Sequence, residues 1–186
     1  TLTLSIATGD DREVFLVPRH GSDYAKVGTV ARVIEEVELA GRGTAVVLTG
    51  ISRGIAGAAG TDPDGTLRVE VEPRPDVAPP RGRTEALERE YRAVVEEILD
   101  LRGADDRIRA FVRAITEPGA LADTSGYAPD LTFEQKKTLL ATLDVVERLE
   151  LALRYQRDRL AELLLRKRIR EEVESGAQKQ QRDHFL

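Results

Sequence analysis

The chain contains no cysteine, no methionine and no tryptophan, and only four tyrosines and four phenylalanines. Without cysteine there can be no disulfide framework and no thiolate-ligated zinc, and the composition fits a reducing cytosol, the compartment expected here. Without methionine, Thr1 is not a natural start, so residues are expected to precede it. The scarcity of aromatic rings leaves few platforms on which single-stranded nucleic acid could stack. No apolar run approaches the roughly 20 residues that span a bilayer, and no leader pattern opens the chain, so no membrane partner is expected.

What is present suffices for a core. Of the 186 residues, 41% are apolar, enough for one large domain or two small ones. The net charge of −5 argues against a general nucleic-acid binder. Its distribution is uneven: −2 over residues 1–83, −4 over 84–143 and +1 over 144–186.

Residues 1–76 read as a β lobe. Leu2, Leu4 and Ile6 alternate with polar residues, the period of a half-buried strand. Thr8 to Asp11 forms a turn signal, and Val14 to Val17 reads as a short strand ending at Pro18. Val27 to Leu39 is rich in β-branched residues, Gly41-Arg42-Gly43 breaks it, and Thr44 to Thr49 resumes it, a hairpin pattern. Gly50 to Gly60 reads as an irregular or bulged strand, and Leu67, Val69 and Val71 as a last one. Such spacing suggests a small barrel or curled sheet.

Pro73 to Arg83 is rich in proline and glycine, which places a linker at 77–83 between two secondary-structure regimes. Residues 84–143 read as a helical lobe. Thr84 is a candidate cap, Leu87, Tyr91, Val94, Val95, Ile98 and Leu101 recur at helical spacing, and Gly103 supplies a stop. Asp105 or Asp106 can cap a second helix with Ile108, Phe111, Val112 and Ile115 on one face, ended by Pro118-Gly119. Thr132 and Gln135 fit a capping box. From Asp144 to Leu186 there is no proline and one glycine, Gly176. This reads as one helix reaching roughly 60 Å, a strut toward something outside the chain. Val146, Leu149, Leu153, Leu160, Leu164 and Ile169 mark its apolar stripe, which Gln156 and Arg157 interrupt. Leu163, Leu164 and Leu165 are more leucines than one buried stripe needs, so with Ile169 and Phe185 they are the candidate protein contacts. Arg166, Lys167, Arg168 and Arg170 form the candidate electrostatic patch.

Signatures of chemistry are lacking. Gly50 to Gly60 has no lysine and no following helix, so it is not a phosphate-cradling loop, and Gly41-Arg42-Gly43 has Val46 where a dinucleotide fingerprint requires glycine. The serines and lysines stand in no nucleophile context. His20 and His184 cannot make a metal site alone. The adjacent pairs Glu35/Glu36, Glu96/Glu97 and Glu171/Glu172 point in different directions and read as solvated faces. No catalytic, cofactor-binding or metal-ligating residue is therefore assigned.

Three segments nonetheless resemble the N-terminal region of Lon, the ATP-dependent serine protease of bacteria and organelles. Val27 to Val33, with its hairpin and Gly50-Ile51-Ser52-Arg53, resembles the centre of the PUA-like β domain. Leu121 to Thr124, Gln135-Lys136, Leu139-Leu140 and Asp144 to Leu149 resemble the helical lobe and its junction. Arg168-Ile169-Arg170, Gln178 to Arg182 and Phe185-Leu186 resemble the helix before the ATPase module. The resemblance implies an α+β fold: a PUA-like barrel or curled sheet, then a helical lobe ending in one long helix. The family's opening strand is missing, and only Thr8 to Arg12 stands where the family has a helical insertion. An excess of arginine over lysine, 23 to 5, suggests a GC-rich, actinobacterial genome.

The resemblance further implies substrate recognition and hexamer assembly for an enzyme of protein quality control and the stress response, which degrades misfolded and regulatory proteins. ATP, magnesium and the serine–lysine chemistry would belong to the parent. This fragment is expected to hold no cofactor and to hydrolyse neither ATP nor peptides. The partners implied are unfolded or degron-bearing polypeptides and other subunits of a homo-hexamer. A nucleic-acid-binding PUA-like module is the alternative, with DNA as partner, and a stand-alone enzyme is the third reading.

Overall fold

The computed structural model describes residues 2–6, 12–39, 41, 43–61, 63, 65, 67–80 and 82–184, with backbone alone at 2–6, 39 and 176–184. The Thr8–Asp11 turn lies outside these residues. In chain order the elements are β1 (Leu2–Ile6), β2 (Glu13–His20), β3 (Asp23–Tyr24), β4 (Val27–Leu39), β5 (Gly43–Thr61), β6 (Leu67–Arg74), α1 (Glu85–Leu101), α2 (Asp106–Ala114), α3 (Pro118–Asp123), a 3-10 turn (Thr124–Tyr127), α4 (Phe133–Ala141) and α5 (Val145–His184). The fold is α+β, as the sequence indicates. Two compact units emerge: Thr1–Ala78 with Thr132–Glu147, and Pro79–Leu131 with Arg148–Leu186. Helical periodicity groups α4 with the other helices of 84–143, whereas α4 packs with the strands.

In the first unit the strands are antiparallel in the order β1-β2-β4-β5-β6, with β3 beside β2. The outermost strands, β1 and β6, come close to one another, so the sheet curls. The curl depends on a pair of glycines opposite one another in the β4–β5 register, Gly28 and Gly54. A Cβ on Gly28 would lie 2.5 Å from the Leu16 carbonyl oxygen and 2.7 Å from the Phe15 ring, and one on Gly54 would lie 2.5 Å from Val71 Cγ1. The Phe15 ring occupies the hollow they leave and is buried with Val14 and Ala31. β2 does not stop at Pro18. It continues to His20, because Pro18 lies near the end of the ladder, where its carbonyl still accepts from Ala25 N at 2.9 Å. The glycine-rich segment is one continuous strand, with register shifts between Ala56 and Ala59 and, across β4, near Val30 and Val33.

α4 carries both halves of the capping box. Thr132 Oγ1 accepts from Gln135 N at 3.2 Å, and Gln135 Oε1 accepts from Thr132 N at 2.9 Å. At its other end the Leu140 carbonyl, one of those a helix leaves unpaired, accepts from Arg53 Nε on β5 at 3.0 Å. That bond explains why the helix sides with the sheet.

In the second unit Thr84 is buried at the start of α1 without a side-chain cap, and Gly103 ends the helix with φ +62. Asp105 caps α2 through Arg107 N at 2.8 Å; the cap of α5, Asp144 to Val146 N and Glu147 N, both at 2.9 Å, falls in the first unit. Pro118 opens α3 instead of merely ending α2, because proline at a first helical turn forfeits no hydrogen bond. The apolar core includes Tyr91, Ile98, Val112, Leu121, Leu149 and Leu153. Gln156, expected to interrupt the α5 stripe, is buried in it and donates from Nε2 to Ser125 Oγ at 3.1 Å. Arg148 is wholly buried, with Nε 3.2 Å from Asp123 Oδ1.

Two consequences are measurable in urea. Gly28→Ala, with its methyl driven against backbone, should lose about 2 kcal/mol. Tyr91→Phe should lose about 1–2 kcal/mol, because the hydroxyl joins Thr124 Oγ1 at 2.7 Å and Ser125 Oγ at 2.8 Å in a buried site. An unchanged midpoint for either variant contradicts the packing described.

Candidate functional site

The first unit contains a cleft of about 550 Å³ between the β2–β3 hairpin and α4. Pro18, Tyr24 and Val27 line it from the sheet, and Phe133, Lys137 and Ala141 from the helix. The hairpin turns at Gly21, whose φ of +59 suits glycine. The capping box fixes Phe133 at the first position of α4, where its ring stays exposed.

Cations and aromatic rings alternate around this cleft. His20 meets Phe133 edge-on, at 6.0 Å between centroids and 81° between planes. Lys137 Nζ lies 5.9 Å from the Phe133 centroid, and the Arg19 guanidinium lies 5.5 Å from that of Tyr24. Glu134 ties the rim together, with Oε2 2.6 Å from Lys137 Nζ and Oε1 3.7 Å from His20 Nδ1. Chiefly through the Lys137 hydrogen bond, its carboxyl is held below the usual glutamate range, with His20 adding to the effect. The cleft can hold an apolar group beside the Lys137 cation. It was missed in the sequence because its two walls are more than a hundred residues apart; an exposed aromatic directly after a capping threonine was the one available signal.

A second apolar surface lies on the β4–β5 ribbon. β2 pairs with β4 only over Thr29–Arg32, and β6 pairs with β5 only over Arg53–Thr61. Among the described residues, beyond Val33 the two strands therefore have each other alone as ladder partners. The register sets Val37 opposite Ala45, and Glu35 opposite Val47, on one face, with Glu36 opposite Val46 on the other. Ile34, Val37, Val46 and Val47 are exposed, and Arg12 pairs with Glu36 at the ribbon's base.

The contact residues expected on α5 are divided. Leu163 is half-buried, whereas Leu164, Leu165 and Ile169 are exposed, Leu165 and Ile169 by 57% and 53%. Phe185 lies outside the described residues. In the basic patch Arg166 pairs with Glu162 and Lys167 lies 3.9 Å from Glu171, while Arg168 and Arg170 are exposed. The patch is thus partly neutralised by its own helix. Among the described residues no helix is long and apolar enough to cross a membrane.

The fold is an α+β architecture whose sheet unit leaves aromatic side chains exposed at a cleft and aliphatic ones on a ribbon. The chain belongs to the family of the ATP-dependent protease La (LON) substrate-binding domain, whose profile matches residues 3–156. It is 40% identical to a Lon protease of Chloroflexus aurantiacus, over 86% of this chain and 19% of that protein. It is 38% identical to a Lon protease of Salinispora arenicola, over 97% of this chain and 23% of that protein. The chain thus spans about a fifth to a quarter of these relatives. Among solved structures, the N-terminal domain of Mycobacterium avium complex Lon protease superposes with a TM-score of 0.71 at 36% identity, covering 81% of this chain and 80% of that one.

The Glu134 cluster makes a pH prediction. A carboxyl depressed on folding adds stability above the ordinary glutamate pKa of about 4.3, and that contribution disappears as pH falls through the lower folded value. Carbon-detected NMR titration should find Glu134 titrating below free glutamate, and Lys137→Met should move it upward. A titration unaffected by that substitution would remove Lys137 as the cause.

Proposed function

We propose that this chain is the part of an ATP-dependent serine protease that engages unfolded or degron-bearing polypeptide, and that α5 contributes to assembly of a homo-hexamer. The observation that carries the first half is the set of apolar side chains left uncovered on the cleft and the ribbon: Tyr24, Phe133, Ile34, Val37 and Val47. Water is displaced from such surfaces without directional requirements, so they can accept many unrelated sequences. The second half rests on the exposed Leu164, Leu165 and Ile169, with Phe185 proposed further along. An isolated helix has no core on which to cover that stripe, and a neighbouring subunit does. Arg166, Lys167, Arg168 and Arg170 would flank such a contact and favour an acidic partner surface. ATP, magnesium and the protease chemistry would reside in the rest of the parent protein, which acts in the cytoplasm.

The test is binding of the chain to a permanently unfolded, carboxymethylated protein. Val37→Ser with Val47→Ser should weaken it roughly tenfold, about 1.4 kcal/mol. Absence of binding in both low and high salt would remove the substrate reading. In the full-length protein, Leu165→Asp with Ile169→Asp should shift sedimentation from hexamer toward smaller species, and an unchanged hexamer would remove the assembly reading.

A further inference from the structure

The second unit contains a cavity of about 370 Å³ that none of the surfaces above includes. Val95 and Leu99 of α1 form one wall, Ile108 and Phe111 of α2 another, and Tyr127 stands at the mouth. By sequence pattern Ile108 and Phe111 belong in a core, since residues three apart share a helix face. Yet they are 48% and 59% exposed, and Tyr127 is 85% exposed, while only Val112 of α2 is fully inside. The helix has therefore turned its apolar face toward an opening it does not fill.

Two polar assemblies keep the opening from collapsing. The floor is fixed by the hydrogen bonds that join Tyr91, Thr124, Ser125 and Gln156. The rim is fixed by Asp130, which pairs with Arg102 and lies 2.9 Å from Arg159 Nη2. Arg159 also pairs with Glu162 at 2.6 Å. All three charged residues of the lining are thus already paired within the unit. The charges of the lining are offset within the unit, and although the buried Arg159 Nε has no hydrogen-bond partner, an incoming ion would lose its hydration to groups whose charge is already balanced, so the occupant is uncharged.

We infer that this cavity is a binding site, separate from the ribbon and the cleft, for one large uncharged apolar side chain presented by a polypeptide. The inference rests on the polypeptide-engaging reading above. The volume is near the lower end of small-ligand pockets, suited to a residue-sized group. Phe111 and Tyr127 carry the apolar surface outward past the mouth, where the residues flanking an inserted side chain would cover them and a small molecule lying inside would not.

The lack of tryptophan provides a clean measurement. A capped heptapeptide of glycine and serine with one central tryptophan contributes the only indole when mixed with the 186-residue chain, so its emission reports its own burial. The expected result is a blue shift on binding, with affinity changing less than about twofold between roughly 50 and 500 mM salt. Phe111→Ser with Tyr127→Ser, both at exposed positions, should weaken it tenfold or more, while Val77→Ser, exposed and outside every surface described above, leaves it unchanged. A peptide with glutamate for the tryptophan should fail to compete. Free N-acetyl-tryptophanamide should bind at least tenfold more weakly than the peptide, and equal affinity would overturn the polypeptide as occupant. No shift, or a shift lost only in the ribbon variant, would overturn the cavity as a site while leaving the unfolded-protein assay to decide the earlier reading. A retained, cavity-dependent shift alongside failed unfolded-protein binding would remove that earlier reading and leave the cavity standing.

Discussion

A buried chain of hydrogen bonds sets the geometry of the helical unit. The Thr124 hydroxyl donates to the Leu121 carbonyl at 2.7 Å, and the Gln156 amide nitrogen donates to Ser125 Oγ. A carbonyl can only accept and an amide N–H can only donate, so the two ends force the direction of the middle. Ser125 must donate to Tyr91, and Tyr91 to Thr124. Each hydroxyl has one proton, and each is used once. A slip of α1 against the 3-10 turn, or of α5 against either, would leave a buried hydroxyl unpaired at a cost of about 1–3 kcal/mol. Burial also raises the Tyr91 phenol above its ordinary value, which keeps its proton in place. Uniform apolar packing would tolerate such slips, and the cavity beside this chain would then have no fixed shape.

The sheet unit obtains its geometry differently. Where the helices are held by directional bonds, the sheet is held by the absence of side chains at Gly28 and Gly54, which lets the Phe15 ring enter between strands. Curling in this way leaves β4 and β5 longer than the strands that flank them. Two strands paired only with one another are marginal in water. The register shifts on either side of Val30 and Val33, together with the Arg12–Glu36 ion pair, secure the start of the ribbon. Its exposed valines then serve no core of their own.

Local chemistry was legible in the sequence, and long-range closure was not. The capping box at Thr132, the stop at Gly103, the cap at Asp105, and the β4–β5 hairpin each depend on residues a few positions apart. The family resemblance drew on the same short segments. By contrast, α4 joins the sheet through a bond between Arg53 and the Leu140 carbonyl, 87 positions apart, which no periodicity records. Gln156 broke the apolar pattern of α5 because its partner, Ser125, is chosen by the tertiary fold. Spacing sets Ile108 and Phe111 on one face of α2, but spacing cannot tell a filled core from the wall of an opening. The candidate sites are therefore visible only where packing stops short.

α5 poses that question along a single helix. From Val145 to Gln156 most of its residues are buried, and Leu149 and Ala152 are wholly enclosed. From Leu164 to Ser175 the same helix is exposed, and apolar residues continue at Leu165, Ile169 and Val173, four apart and on one side. What holds this stretch from within is a few ion pairs along the helix, Glu162 with Arg159 and Arg166, and Lys167 with Glu171. Such pairs contribute about 0.3–0.5 kcal/mol each when exposed, too little to order many turns whose stability usually comes from burying a face. A long charged helix could persist on propensity alone, but it would have no use for three branched apolar residues in register. Their spacing makes sense if another surface completes the burial that Leu149 and Leu153 begin.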